Sequence, residues 1–276
     1  MVVIRKKQQP AFLLWIRARP GRVIATSFLL VIMIGTVLLC LPIASRDGQS
    51  IGFLQALFTA TSATCVTGLV TVDTATHWTV FGQVVIILLI QTGGLGLVTI
   101  TSFFYTLMHR KATLHTLVVA QEATASFSFS DVLRLVRKII YITFTIELAG
   151  GLILSWRLAQ RFGLAAGLGK GFFTAISAFC NAGFDLMGNT PGGPFSSLTT
   201  LNDDPIAILT VAFLIILGGL GFVVWTDLIE WPRDRKLNFH SKVVLILTAV
   251  FLTFGTLFFY LSEQGNTAPN ALGRLP

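Results

Sequence analysis

The chain has 276 residues, of which 54% are hydrophobic and 12% charged, with a formal net charge of +8. Soluble domains carry about 25% charge, so this composition excludes one: the core is expected to be buried in lipid and against the chain's own helices. The positive charge gathers in loops between apolar runs, with no basic face interleaved with aromatics, which argues against a nucleic-acid partner.

Runs of about 17–25 apolar residues span a bilayer, and five runs are predicted to do so: Val23–Leu41, Phe81–Met108, Ile139–Leu158, Ile206–Trp225 and Val243–Leu261. Residues 1–22 form a basic segment carrying Arg5, Lys6, Lys7, Arg17, Arg19 and Arg22. It imitates a signal peptide, but the apolar run behind it is too long and lacks an Ala-x-Ala site, so a retained first span is expected. Pro42 ends that span. Ile51–Ala63 reads as a helix of thirteen residues, about 20 Å long at 1.5 Å per residue and too short to cross. It is predicted to be re-entrant, stopping near the midplane with the negative end of its dipole directed inward, which favours a cation there.

The stretch Phe58-Thr-Ala-Thr-Ser-Ala-Thr-Cys-Val-Thr-Gly-Leu69 follows from this helix. It is written again as Phe173-Thr-Ala-Ile-Ser-Ala-Phe-Cys-Asn-Ala-Gly-Phe184, 115 residues later and with seven of twelve positions identical. Non-helical backbone is tolerated at membrane depth only where it is buried in protein or lines water. A cation path needs a row of carbonyl oxygens to replace the ion's hydration shell. Turning successive carbonyls inward needs unusual backbone angles, which the glycines Gly68 and Gly183 can adopt. A strand over Val70–Thr74 is expected to return the chain to the outer mouth.

Phe81–Met108 then crosses inward with Gln91-Thr-Gly-Gly-Leu-Gly96 at its middle. The second copy has Leu217-Gly-Gly-Leu-Gly221, and mid-span glycines point to close helix approach. Gly93 and Gly218 are 125 residues apart rather than 115, the extra ten falling in the Gly/Pro/Asn-rich loop Gly188–Asp204. No complete Gly-x-Gly-x-x-Gly with a following acid is present, so a dinucleotide site is not expected. Leu114–Ala125 looks like a surface helix that either docks a cytosolic partner or lies at the membrane interface. Val132–Leu158 crosses outward and carries Glu147, an intramembrane polar site that either packs helices or lines the pore. Gly171–Phe179 is predicted as the second re-entrant helix, with Cys180–Phe184 after it.

Lys and Arg cluster in the N-terminal segment, in the loop after the second span (Arg110, Lys111, Arg134, Arg137, Lys138) and in the loop after the fourth (Arg233, Arg235, Lys236, Lys242). By the positive-inside rule these are cytoplasmic. The N-terminus is then inside and both repeated stretches are outside. The outer side holds Arg46, Arg157, Arg161, Lys170 and Arg274 beside Asp47, Asp73, Asp185, Asp203, Asp204 and Glu263, acids that either concentrate cations at the mouth or are ordinary loop charge. Cys40, Cys65 and Cys180 have no Cys-x-x-Cys spacing, so neither a zinc site nor a disulfide framework is expected. An enzyme is not expected either: Glu147 stands without a second catalytic group, and His77, His109, His115 and His240 lack His-Glu-x-x-His spacing.

The expected organisation is a cytoplasmic N-terminus (1–22), a first membrane–pore–membrane repeat (23–108), a cytoplasmic linker helix (109–131), a second repeat (132–228), a cytoplasmic loop (229–242), the first helix of a third repeat (243–263) and an external tail (264–276). The fold class is all-α membrane protein.

The two repeated stretches, each followed by a Gly-Gly-Leu-Gly helix, resemble the Ktr/Trk/HKT superfamily of cation transporters. The chain looks most like the membrane subunits of bacterial Ktr systems, the TrkH/KtrB family. The resemblance implies four repeats in a pseudo-fourfold, potassium-channel-like architecture, each giving one filter glycine. It places the potassium filter on Thr64, Cys65, Val66, Thr67 and Gly68, and on Phe179, Cys180, Asn181, Ala182 and Gly183. It implies uptake of potassium as substrate, with no organic cofactor and no other metal. Glycine rather than serine at residue 68 favours potassium over sodium. It further implies a multi-pass protein of the plasma (inner) membrane. The partners it implies are the lipid bilayer, a second copy in a homodimer and a cytosolic nucleotide-binding regulatory subunit (RCK/KtrA-like). The chain departs from the pattern: two repeats and one helix are present, and the helix break that gates the third repeat in the family has no counterpart. The expectation is a C-terminally truncated copy, the alternative a non-conducting fragment or assembly subunit needing a second half.

Overall fold

The computed structural model describes residues 20–96 and 129–263. Among these residues the architecture is all-helical, with no strand. The helices are α1 (Pro20–Cys40), α2 (Phe53–Thr64), α3 (Thr74–His77), α4 (Val80–Gly94), α5 (Phe129–Phe162), α6 (Leu164–Phe179), α7 (Pro205–Gly219), α8 (Phe222–Asp234) and α9 (Phe239–Glu263), with short 3-10 turns at Pro42–Ala44 and Ser197–Leu201. The basic N-terminal segment, the expected Leu114–Ala125 helix, the inner end of the second predicted span and the tail from residue 264 lie outside the described residues.

Among the described residues two helices are long and apolar enough to cross a bilayer, Arg137–Phe162 and Phe239–Ser262. The predicted span Ile206–Trp225 is not one straight crossing. Pro205–Gly219 and Val224–Pro232 meet at 96°, because Gly221 between them has a φ of 83°, which a continuing right-handed helix cannot contain. The break leaves helical carbonyls without their usual donors. One of them, on Leu217, accepts a 3.0 Å hydrogen bond from the Trp225 indole.

The described residues fall into two compact units. One runs to Thr71 and resumes from Thr79 to Arg137; the other joins Val72–Trp78 to the described residues from Lys138 onward. In the first unit α1 packs on α2 and α4, and α2 packs on α4. Leu39, Ala60, Ala63, Ile86 and Ile90 are fully buried there. Helix α4 starts where Thr79 caps the Gly82 N–H through its side chain. The Thr79 hydroxyl also donates to the Ile43 carbonyl, at 2.7 Å.

In the second unit α6 packs on α7, around Leu154, Leu158, Ala175, Phe179, Val211 and Leu214. Helix α6 also lies close on α5. A Cβ at Gly167 would fall 2.4 Å from Ala159 backbone, and one at Gly171 would fall 2.4 Å from Ser155. Small residues four apart are the usual means of such approach in a membrane, where dispersion rather than hydrophobic exclusion drives packing. Asp204, fully buried, caps the Ala207 N–H at the start of α7. It is held in turn by Arg157, whose Nε lies 3.0 Å from Asp204 Oδ2.

The helix predicted over Gly171–Phe179 is longer, beginning at Leu164 behind Gly163, whose φ is 82°. The expected strand at Val70–Thr74 is replaced by a bend and a short helix. Asp73 accepts hydrogen bonds from the N–H groups of Ala75 and Thr76, at 3.0 and 2.8 Å. These bonds give the chain a helical start that a strand would forgo.

Candidate cation-filter loops

Helices α2 and α6 end in the same loop. In the first unit the N–H of Cys65 donates to Thr61, that of Val66 to Ala63 and that of Thr67 to Ser62, at 2.8, 3.3 and 2.9 Å. In the second unit the N–H of Cys180 donates to Ile176, that of Asn181 to Ala178 and that of Ala182 to Ser177, at 2.9, 3.0 and 2.7 Å. Across a trans peptide the C=O points opposite to the N–H. Three amides turned back into the helix end therefore aim the carbonyls of Thr64, Cys65 and Val66 away from it, and likewise those of Phe179, Cys180 and Asn181. Oxygen dipoles aimed one way beyond a helix C-terminus make a site for a cation and repel an anion.

The backbone angles repeat as closely. Val66 and Asn181 both have a φ of 58°, and Gly68 and Gly183 both have a φ of 76°. Asparagine tolerates this region, but for β-branched Val66 it is an outlier, the kind of strain that collects at functional sites. The sequence reading assigned positive φ to the glycines and missed Val66 and Asn181. Only the pairing of Asn181 with Val66 in the repeat hinted that a left-handed residue stands there.

Thr64 and Phe179 are the last helical residues, and the other eight filter candidates follow them. The Thr64 carbonyl lies where a Gly93 side chain would be: a Cβ there would stand 2.0 Å from the oxygen. In the second unit a Cβ at Gly218 would stand 1.7 Å from the Phe179 carbonyl. Gly93 and Gly218, each one residue before the end of its helix, thus let α4 and α7 close directly on the base of each loop.

The loops differ in what lies behind them. In the first, the Thr67 hydroxyl donates to Ser62 Oγ at 2.9 Å; Ala182 cannot do so in the second. There the Cys180 thiol donates towards Oε1 of Glu147 at 3.9 Å, and Glu147 is only 3% exposed. The structure therefore brings Glu147 to the side-chain side of the second loop. A cavity of about 200 Å³ opens beside that loop, lined by Ser177, Asn181, Gly183, Asp185, Ser197 and Ile215 among others. Among the described residues no cluster of three His, Cys, Asp or Glu could hold a metal ion.

Beyond the first loop, Asp73 is nearly buried. Burial pushes its carboxyl up, but hydrogen bonds from Phe195, Thr76 and Ala75 outweigh that and hold it below the ordinary 3.8. The Phe195 N–H donates to Asp73 Oδ2 at 2.9 Å.

The chain is similar to known proteins. Residues 14–262 match the TrkH family, described as a cation transport protein. The chain is 41% identical over 248 residues to the potassium/sodium uptake protein NtpJ of Enterococcus hirae, covering 90% of this chain and 53% of that protein. It is 39% identical to Ktr system potassium uptake protein B of Bacillus subtilis, covering 97% of this chain and 58% of that one. It is also 39% identical to the protein of the same name from Vibrio alginolyticus, covering 92% and 54%. The chain thus spans about half the length of the curated relatives it matches.

Proposed function

Taking as premise that the chain belongs to the TrkH family of cation transport proteins, we propose that it takes up potassium across a membrane through a path lined by the carbonyls of Thr64–Gly68 and Phe179–Gly183. The observation that carries this reading is the shared loop geometry: two segments 115 residues apart with the same amide bonds into a helix end and the same two positive-φ positions. Such recurrence is expected where two loops must present oxygens to one ion in the same way, because a potassium ion is selected by the number and field of the oxygens around it.

Two loops supply part of a ring. The full coordination shell is a pseudo-fourfold arrangement in which other repeats, in the same or another polypeptide, add equivalent loops. The similar proteins are named for potassium uptake, two of them as parts of Ktr systems. The membrane subunit in our reading sits in the plasma membrane with its N-terminus inside, pairs with a second copy and docks a cytosolic nucleotide-binding regulatory subunit.

Rubidium uptake by potassium-starved cells expressing the chain tests the reading. Saturable uptake that potassium inhibits, and that Gly68→Ser with Gly183→Ser abolishes, is expected. Uptake equal to that of empty vector would leave this chain a non-conducting part of a larger assembly.

A further inference from the structure

We propose that Lys170 is a positioning residue of the second filter loop, a tethered cation that fixes the outer return of that loop; this rests on the filter reading above. Lys170 lies on α6, nine residues before its last residue Phe179, and is only 6% exposed. Its ammonium donates to the Leu186 carbonyl and to Asn189 Oδ1 at 2.5 Å. It stands 5.2 Å from the centre of the Phe162 ring. Leu186 is three residues beyond the filter glycine Gly183. The lysine therefore spans from the body of the pore helix to the chain as it leaves the filter.

The physical case has two parts. Burying an ammonium is costly unless it is closely coordinated, so a lysine retained here holds its oxygens in fixed places. Those oxygens, a peptide carbonyl and an amide, are the ligand types a potassium ion takes. The ammonium thus orders the segment 184–190 independently of any ion in the filter.

Among the described residues the first unit has no such anchor at the equivalent place. At the 115-residue offset Gln55 stands for Lys170 and Thr71 for Leu186, and Gln55 is exposed. Asn189 belongs to the loop that carries ten residues more than its counterpart. The lysine and its partner Asn189 are thus specific to the second repeat, where the Ser62–Thr67 hydroxyl bond of the first is missing because residue 182 is alanine.

Hydrogen exchange of the purified chain in detergent tests this, comparing choline chloride with potassium chloride. In choline chloride, Lys170→Met is expected to speed exchange of the peptide covering 184–190 by about tenfold while α5 and α7 keep wild-type protection. Lys170→Arg restores protection in part. Asn189→Ala, which leaves the lysine in place, loosens the same peptide less. Unchanged exchange at 184–190 in Lys170→Met, or equal loosening throughout α5, α6 and α7, would overturn the anchoring role. Potassium chloride separates this from the premise. Recovery of protection in Lys170→Met shows an ion ordering the loop. Loosening confined to 184–190 that potassium leaves unchanged upholds the anchor and counts against the filter.

Discussion

Gly93 covers the carbonyl of Thr64 so closely that a methyl group there would stand 2.0 Å from the oxygen. The oxygen belongs to the peptide that leads into the loop, so any displacement is passed to Cys65 and Val66. Gly93→Ala, and Gly218→Ala against the Phe179 carbonyl at 1.7 Å, are therefore expected to abolish rubidium uptake at a cost of about 1–3 kcal/mol in overpacking. Gly219→Ala is the control: nothing lies within 4 Å of a Cβ there, and it should keep uptake and wild-type levels in the membrane. Equal uptake by Gly93→Ala and Gly219→Ala would remove the loop base from the ion path.

Gly68 and Gly183 hold a φ of 76°, and a side chain there costs about 1–2 kcal/mol. Serine at either glycine is expected to tilt the neighbouring carbonyls and loosen the choice of potassium over sodium. The readout is rubidium uptake under rising external sodium. Wild-type uptake should resist sodium, and Gly68→Ser should be inhibited at several-fold lower sodium. Unchanged competition in both serine variants would count against Gly68 and Gly183 as filter residues.

The two short helices α2 and α6 and the loops after them were legible because the chain writes them twice. A repeated Ser-Ala-x-Cys-x-x-Gly between apolar runs has few physical explanations besides paired re-entrant loops. The close approach at Gly93 and Gly218 was legible for the same reason, small residues at mid-span having one common use. What escaped depends on contacts remote in sequence. Residues 70–74 read as a strand returning the chain to the outer mouth, yet Asp73 caps the helix after it and bonds to Phe195, 122 residues on. The span at Ile206–Trp225 read as continuous because hydropathy does not register that Gly221 has φ 83°. Lys170 read as outer-loop charge, since only folding shows that its ammonium turns inward to Leu186.

Asp73 makes the second unit sensitive to acid. Its carboxyl is held below 3.8 in the folded chain, so it adds stability at pH values above the unfolded value. That contribution is lost as pH falls through the lower folded value. Thermal unfolding of the detergent-solubilised chain from about pH 6 to about pH 3 is expected to show a plateau followed by an acid fall. Asp73→Asn should lower the plateau and make the fall shallower. A parallel curve for the variant would mean that other carboxylates set the acid limb.

Glu147 separates the two repeats beside a glycine–leucine contact that they share. Gly35 lies against Leu89 and Gly150 against Leu214, each with a Cβ position 2.7 Å from a leucine methyl; Gly150 follows Gly35 by the same 115 residues that separate the loops. That register sets Ile32 in the first unit where the second has Glu147. In the proposed path, a carboxylate 3.9 Å from the Cys180 thiol would act from behind the loop, through a medium of low dielectric. An interaction of about 1 kcal/mol there equals roughly fivefold in apparent affinity. Glu147→Gln preserves shape and hydrogen bonding, so it should raise the rubidium KM by about that factor while the maximal rate and the protein level hold. Glu147→Ile, which copies the first repeat, should raise KM as much. If instead the glutamine variant keeps its KM and the isoleucine variant loses only protein level, the carboxylate packs helices and leaves the ion path to the backbone.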